Sequence, residues 1–258
     1  MEKGLLVISF GTSFRDTCEK TIVAIEKDLR DAFPDRLFYR AWTSSIIRKK
    51  IKERDKLVIL SPEEALDQMA EDGIKDVLIQ PTHMLAGAEY DKVVAALKPR
   101  LDAFEKVVIG KPLMENEEDV RVFAGKLAEI AGDLAADEMA VFMGHGSEDT
   151  KLPVYTLLNQ FCAEAGRDNI CIGTVEFEPG IEPVLEKVRE KKPAKVFLQP
   201  LLIVAGDHAN NDMAGDEDDS WKNLIGKEGP EVVCILKGMG EFEVVRQLYV
   251  EHAKDALK

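Results

Sequence analysis

The sequence predicts an α/β protein of two similar domains, each a mainly parallel four-stranded sheet flanked by helices. Three observations predict it. Short apolar runs alternate with helical patterns along the whole chain. Two motifs, a glycine turn after the first strand and a Gln-Pro pair after the third, recur in the same order in each half. A length of 258 residues is also enough for two cores of ordinary size.

Taken in order, residues 5–8 (Leu-Leu-Val-Ile) form a buried strand that ends at Ser9-Phe10-Gly11-Thr12-Ser13. A helix follows from about Asp16, because Ile22, Ile25, Leu29 and Phe33 recur at helical spacing. Residues 37–42 are the second strand, and Thr43-Ser44-Ser45 after it offers caps for the next helix. That helix carries Arg48, Lys49, Lys50 and Lys52, a basic patch in an acidic chain. Ser61-Pro62-Glu63-Glu64 reads as a helix start: Ser61 caps, Pro62 enters the first turn and Glu64 closes a capping box. Residues 76–80 are the third strand, leading through Pro81-Thr82-His83 to Ala86-Gly87-Ala88-Glu89. A helix from about Tyr90 and a strand at 106–109 complete a first domain placed at residues 1–130. A polar helix from 115 to about 132 bridges to the second domain, 131–258, with strands at 139–143, 170–174, 195–199 and 232–236. A last helix, from about 241 to 256, can pack back across the junction.

The repeat is legible residue by residue. The segment from Ile8 to Thr17 lies over that from Val141 to Thr150, matching Gly11 with Gly144, Asp16 with Asp149 and Thr17 with Thr150. Val77-Leu78-Ile79-Gln80-Pro81 lies over Val196-Phe197-Leu198-Gln199-Pro200, and an Ala-Gly pair follows each: Ala86-Gly87 and Ala205-Gly206. The two glutamines are 119 residues apart, and the same offset carries Glu89 onto His208. Glu89 is therefore a candidate catalytic partner from the first domain. His83 falls opposite Leu202 and reads as structural or cleft-lining, and His252 as a surface residue of the last helix.

Composition narrows the function. A formal charge of -14 argues against nucleic acid, which favours a basic stripe. No run of about 18 apolar residues exists to span a membrane. Met-Glu-Lys-Gly leads straight into a strand, so a cytoplasmic protein is expected. Cys18, Cys162, Cys171 and Cys234 are scattered and suit reduced, mostly buried thiols.

Candidate chemistry gathers in the second half. His145, in Gly144-His145-Gly146-Ser147, follows its first strand; Glu176 follows the second; His208 lies in the loop after the third. Parallel strands open their carboxyl ends on one edge, where ligands bind in open α/β sheets, so the three side chains can converge. Two imidazoles and a carboxylate leave coordination positions open, as suits a divalent metal that must be handed on. Taken singly, His145 reads equally well as a hydrogen-bonded turn residue, and Glu176 as an exposed strand-end carboxylate. The polar stretch from Asp207 to Trp221 is long enough to be functional. Within it Glu217 and Asp218 read as solvated, Asp219 or Ser220 as a helix cap, and Asp212 and Asp216 stay open between solvation and metal attraction.

Gly144-His145-Gly146-Ser147, Gln199-Pro200-Leu201 and the run from Ala205 to Met213 resemble the anaerobic cobalt chelatase family CbiK, the sirohydrochlorin cobaltochelatases. Ser9-Phe10-Gly11-Thr12-Ser13 and Trp42-Thr43-Ser44-Ser45 fit the same family, over essentially the whole chain. The resemblance implies two chelatase-like α/β domains with the active cleft between them. It maps the family's metal-binding residues onto His145, Glu176 and His208. It implies ATP-independent insertion of Co2+ into sirohydrochlorin, with Co2+ as the substrate metal and no nucleotide. His145, His208 and Glu89 are then the catalytic candidates. The ring's carboxylates would meet Gly11, Thr12, Ser13, Thr43, Ser44, Ser45, Gly87 and Gly144, with Arg15 or Arg48 as further donors. Two other readings stand beside it: an iron or nickel chelatase for a related tetrapyrrole, and a non-catalytic metal or tetrapyrrole carrier.

Overall fold

A computed structural model of the chain describes residues 2–147 and 152–258. Asp149 and Thr150, two members of the sequence repeat, lie outside the described residues. The chain forms two compact units, Met1–Glu115 with Glu243–Lys258, and Asn116–Phe242.

The first unit is built on β1 (Lys3–Ser9), β2 (Leu37–Trp42), β3 (Asp76–Pro81) and β4 (Lys106–Ile109), all parallel, in the order β2-β1-β3-β4. β1 is apolar on both sides because helices cover both faces, and Leu5, Leu6, Val7 and Ile8 are all fully buried. Those helices are α1 (Arg15–Lys20), α2 (Ile22–Ala32), α3 (Ser45–Asp55), α4 (Pro62–Glu71) and α5 (Ala88–Leu97). One face of the sheet packs Leu6, Ile8 and Ile79 against Leu66, Met69 and Leu97. α4 starts as its sequence demands: Ser61 Oγ accepts from Glu64 N at 3.1 Å and Glu64 Oε2 accepts from Ser61 N at 2.6 Å.

The second unit comprises α6 (Glu117–Ala131), β5 (Glu138–Gly144), α7 (Val154–Glu164), β6 (Ile170–Thr174), α8 (Glu182–Lys191), β7 (Lys195–Leu201), α9 (Trp221–Lys227) and β8 (Glu231–Cys234). Its parallel sheet runs β6-β5-β7-β8, the same order as in the first unit. β1 and β5 hold the same second place, and Gly11 and Gly144 come at their carboxyl ends. The Gln-Pro repeat has a shared mechanical role. Gln80 Nε2 donates to the carbonyl of Lys111 at 3.0 Å, and Gln199 Nε2 to that of Lys237 at 3.5 Å. Each buried glutamine thus ties the segment beyond its sheet's fourth strand to the third.

Several sequence expectations shift. The division at 130/131 falls at the end of α6, which counts wholly with the second unit because it packs on α7, with the Arg121 guanidinium 3.8 Å from the centre of the Phe161 ring. The terminal helix α10 (Glu243–Ala256) belongs to the first unit. It lies on α2 and β3, joined by an Arg246–Asp28 ion pair at 2.7 Å and by the buried Tyr249 hydroxyl, which donates to Thr82 O at 2.8 Å. His252 is consequently buried, not at the surface, since its side of α10 faces that packing. The single helix expected from Asp16 breaks at Thr21, whose hydroxyl donates to Thr17 O at 2.6 Å and competes with helix continuation. β8 stops at Cys234, two residues short of the strand expected to reach Leu236, which is exposed. Among the described residues no helix is long and apolar enough to cross a membrane.

Candidate metal centre

The second unit's sheet edge positions its first ligand through a sharp turn. β5 ends at Gly144, whose missing side chain makes room for the Tyr155 ring: a Cβ there would lie 2.4 Å from it. Gly146 then turns with φ +92, and a Cβ on it would sit 1.7 Å from the carbonyl oxygen of Glu176. Both glycines are needed for close approach. Between them His145 is held by its own loop, since its Nδ1 lies 3.0 Å from Gly146 O. The Tyr155 hydroxyl accepts from Gly146 N at 3.2 Å and braces the turn from α7. Burial pushes that phenol up to about 12, so it stays protonated.

Glu176 is placed by two backbone bonds from the strand-end loop to this turn. Val175 N donates to Gly144 O at 2.9 Å and Glu176 N to His145 O at 2.8 Å. The loop closes on itself at Thr174, whose hydroxyl donates to Phe177 O at 2.8 Å and accepts from Gly180 N at 3.3 Å.

His208 follows β7 and enters a π-type turn, Ala209–Met213, closed by Ala214 N to Ala209 O at 3.2 Å. Ala209 and Met213 are fully buried and anchor that turn in the core. Asp212 lies four residues on, and its Oδ2 is 2.7 Å from His208 Nδ1.

The structure brings the three sequence-predicted ligands together. One ligand atom from each of His145, Glu176 and His208 lies within 4.8 Å of the others. His145 Nε2 is 3.9 Å from Glu176 Oε2, and the two imidazole rings meet edge to face at 5.0 Å. Two ligands across one ion span at most ~4.2 Å, twice a metal–nitrogen or metal–oxygen bond. Closing the triad on an ion needs only a small shift, which side chains 46% and 50% exposed, as in His145 and Glu176, can make. A carbonyl or carboxylate oxygen accepts, so each Nδ1 carries the proton and each Nε2 keeps its lone pair outward. Nε2 is thus the nitrogen of each imidazole available to an ion, Nδ1 being held by backbone in one and by a carboxylate in the other.

The first unit's candidates also share one sheet edge. Gly11, with φ +99, packs on the Trp42 ring, where a Cβ would lie 2.7 Å from the indole. Thr43 N donates to Ser9 O at 2.9 Å and Ser44 N to Phe10 O at 3.2 Å, so the segments after β1 and β2 are stitched together. Several hydroxyls are committed locally. Thr12 Oγ1 accepts from Phe14 N at 3.2 Å, and Ser44 Oγ caps α3 by accepting from Ile47 N at 3.3 Å. Gly87 caps α5 through its backbone, accepting from Asp91 N at 3.0 Å. Ser13 is half-buried and Ser45 is exposed. Thr43 Oγ1 is buried without a hydrogen-bond partner among the described residues. Arg15 pairs with Asp55 and Arg48 with Glu64. Glu89, in the first turn of α5, is exposed and pairs with Lys92 at 2.6 Å. His83 is packed edge-on to Tyr90, and burial pulls its imidazole down to about 4 against an opposing pull from Glu89.

Sequence reasoning missed Tyr155, which sits on α7 among Leu158, Phe161 and Cys162 and so looks like an ordinary core position. It left Asp212 open; the four-residue spacing from His208 was the available signal. Asp216, the other open carboxylate, pairs with Lys222 at 2.9 Å, and Ser220 caps α9.

The profile of the cobalt chelatase family, CbiK, matches residues 3–258. The chain is 39% identical over 257 residues to the sirohydrochlorin cobaltochelatase of Salmonella typhimurium, covering 100% of this chain and 97% of that one. It is 30% identical over 263 residues to sirohydrochlorin cobaltochelatase CbiKC of Nitratidesulfovibrio vulgaris, covering 99% and 91%. In fold it is similar to SirB from Bacillus subtilis, solved with Fe3+, with a TM-score of 0.67 at 14% identity over 99% of this chain and 96% of that one. The chain belongs to the CbiK family of cobalt chelatases.

Proposed function

We propose that this protein inserts Co2+ into sirohydrochlorin, as the names of its full-length relatives indicate for those proteins, and that it does so without a nucleotide. The observation that carries the reading is the triad itself: two imidazoles with Nδ1 already engaged and one carboxylate, with no fourth His, Cys, Asp or Glu grouped with them among the described residues. In this reading His145, Glu176 and His208 strip water from Co2+ and hold it with a face open to the ring. The two pyrrole N–H protons leave as the metal enters. An imidazole released from the ion accepts one of them. Glu89 is assigned as the second acceptor, because it follows β3 as His208 follows β7 in a sheet of the same order. Backbone N–H groups at Gly11, Gly87 and Gly144, with Ser13 and Ser45 as hydroxyl donors, bind the ring's carboxylates, while Thr43, its hydroxyl buried, supports the loop. Thr12 and Ser44 contribute by shaping the same loops.

The test is anaerobic mixing of protein, Co2+ and sirohydrochlorin, followed by the ring's absorption spectrum. Conversion to the cobalt product is expected with the parent. His145→Ala and His208→Ala should lose at least about 100-fold in rate while keeping parental far-UV circular dichroism, since both side chains stand at the sheet edge. A parent that binds ring and metal yet leaves the spectrum unconverted is a carrier, and the chelatase reading then fails.

A further inference from the structure

Beside the triad stands a side chain in a position that is unfavourable on two counts. Phe177 directly follows Glu176, and its backbone lies in the left-handed region with φ 62, which residues other than glycine rarely adopt. The residue is 48% exposed. Neither feature helps folding.

The surroundings nonetheless enforce both. The Phe177 carbonyl accepts from the Thr174 hydroxyl at 2.8 Å and from Gly180 N at 3.2 Å, while Glu176 N is tied to His145 O at 2.8 Å. A conformation over-determined in this way, next to ligands, is where strain serves function. Among the described residues of the second unit, the large apolar ones more than two-fifths exposed are Val122, Phe177 and Leu236, and of these only Phe177 adjoins a triad residue along the chain. Val122 lies on α6 and Leu236 beyond β8.

Resting on the chelatase reading above, we infer that Phe177 is a substrate-positioning residue whose ring packs on the face of the tetrapyrrole and sets it over the triad. A tetrapyrrole has a flat, conjugated, apolar face and a carboxylate rim. Polar groups can hold the rim, but only an apolar surface gains from covering the face. Glu176 grips the ion and the next residue grips the ring, so one short loop sets the distance between the two substrates.

The experiment uses the full chain and three variants. Phe177→Ala removes the ring and keeps the backbone strain; Phe177→Gly removes both; Phe177→Tyr keeps an aromatic face. Metal-free sirohydrochlorin is titrated without Co2+, Co2+ is titrated without the ring, and insertion rates and thermal midpoints are recorded. Ala and Gly should weaken sirohydrochlorin binding and raise its KM roughly tenfold, the worth of one desolvated phenyl group, with a smaller fall in kcat. Tyr should recover most of that loss. Co2+ affinity should stay within about twofold throughout. Phe177→Gly should also raise the midpoint by about 2 °C, because strain is released, whereas loss of a packing residue would lower it.

An unchanged KM in Ala and Gly overturns the inference. So does a Co2+ affinity that falls in step with ring affinity, which would mean the loop only shapes Glu176. A Phe177→Gly protein with a lowered midpoint and unchanged ring binding assigns Phe177 to packing alone. If the parent binds the ring but does not metallate it, the chelatase reading fails while the ring titrations still judge Phe177. If the parent binds no tetrapyrrole, both fall.

Discussion

Removing the Asp212 carboxylate tests the proposal that His208 is oriented as a ligand. Asp212 Oδ2 lies 2.7 Å from His208 Nδ1, and that bond points Nε2 outward with its lone pair free. In Asp212→Ala the imidazole can turn and can move its proton to Nε2, where it blocks ligation. Losing an outer partner of this kind costs about 10–100-fold in metal affinity. Asp212 is 44% exposed, so water can replace it in part, and the lower end applies: about tenfold, or ~1.4 kcal/mol. Asp212→Asn keeps an acceptor without the charge and should fall between Ala and the parent. Stability should change by less than about 1 kcal/mol, because a partly exposed pair contributes little. Co2+ titration by calorimetry, alongside urea unfolding of the same samples, separates the two effects. The reasoning is refuted if Asp212→Ala binds Co2+ as tightly as the parent. It is equally refuted if insertion is lost while Co2+ affinity holds, because Asp212 would then act on the ring and not through His208.

Two further perturbations follow from the same structure. Gly146→Ala forces a Cβ to within 1.7 Å of the Glu176 carbonyl at a φ of +92. It should cost about 3 kcal/mol in urea unfolding and disable Co2+ binding. Gly73→Ala is its control, because φ is +79 but nothing lies within 4 Å, so only about 1 kcal/mol and no change in Co2+ affinity is expected. His83, pulled by burial from its ordinary 6.5 to about 4, refuses a proton that the unfolded chain accepts. Stability should therefore fall as pH is lowered through that window, by about 2 kcal/mol at pH 5, and His83→Gln should flatten the curve by that amount. Parallel urea midpoints across the window check it, and equal slopes for the two proteins would contradict it.

Much of this protein is written locally. Both sheets, strand by strand, follow from runs such as Leu5-Leu6-Val7-Ile8, because burial on both faces leaves no polar alternation to confuse the reading. The start of α4 is legible because Ser61, Pro62 and Glu64 act within one turn of chain. The triad is legible too. Once the strands are parallel, their carboxyl ends must share an edge, and His145, Glu176 and His208 each follow one.

What needed the tertiary structure is whatever depends on contacts distant in sequence. The terminal helix joins the first unit through Arg246 and Tyr249, whose partners Asp28 and Thr82 lie well over a hundred residues away; no local pattern names them, and His252 is buried as a result. Tyr155 looks like any core position on α7 until its hydroxyl is found under Gly146. The orientation of both imidazoles is likewise decided in space. A sequence specifies that a histidine is present, but which nitrogen faces a metal depends on which neighbour takes the other nitrogen's proton, and folding alone brings that neighbour into place.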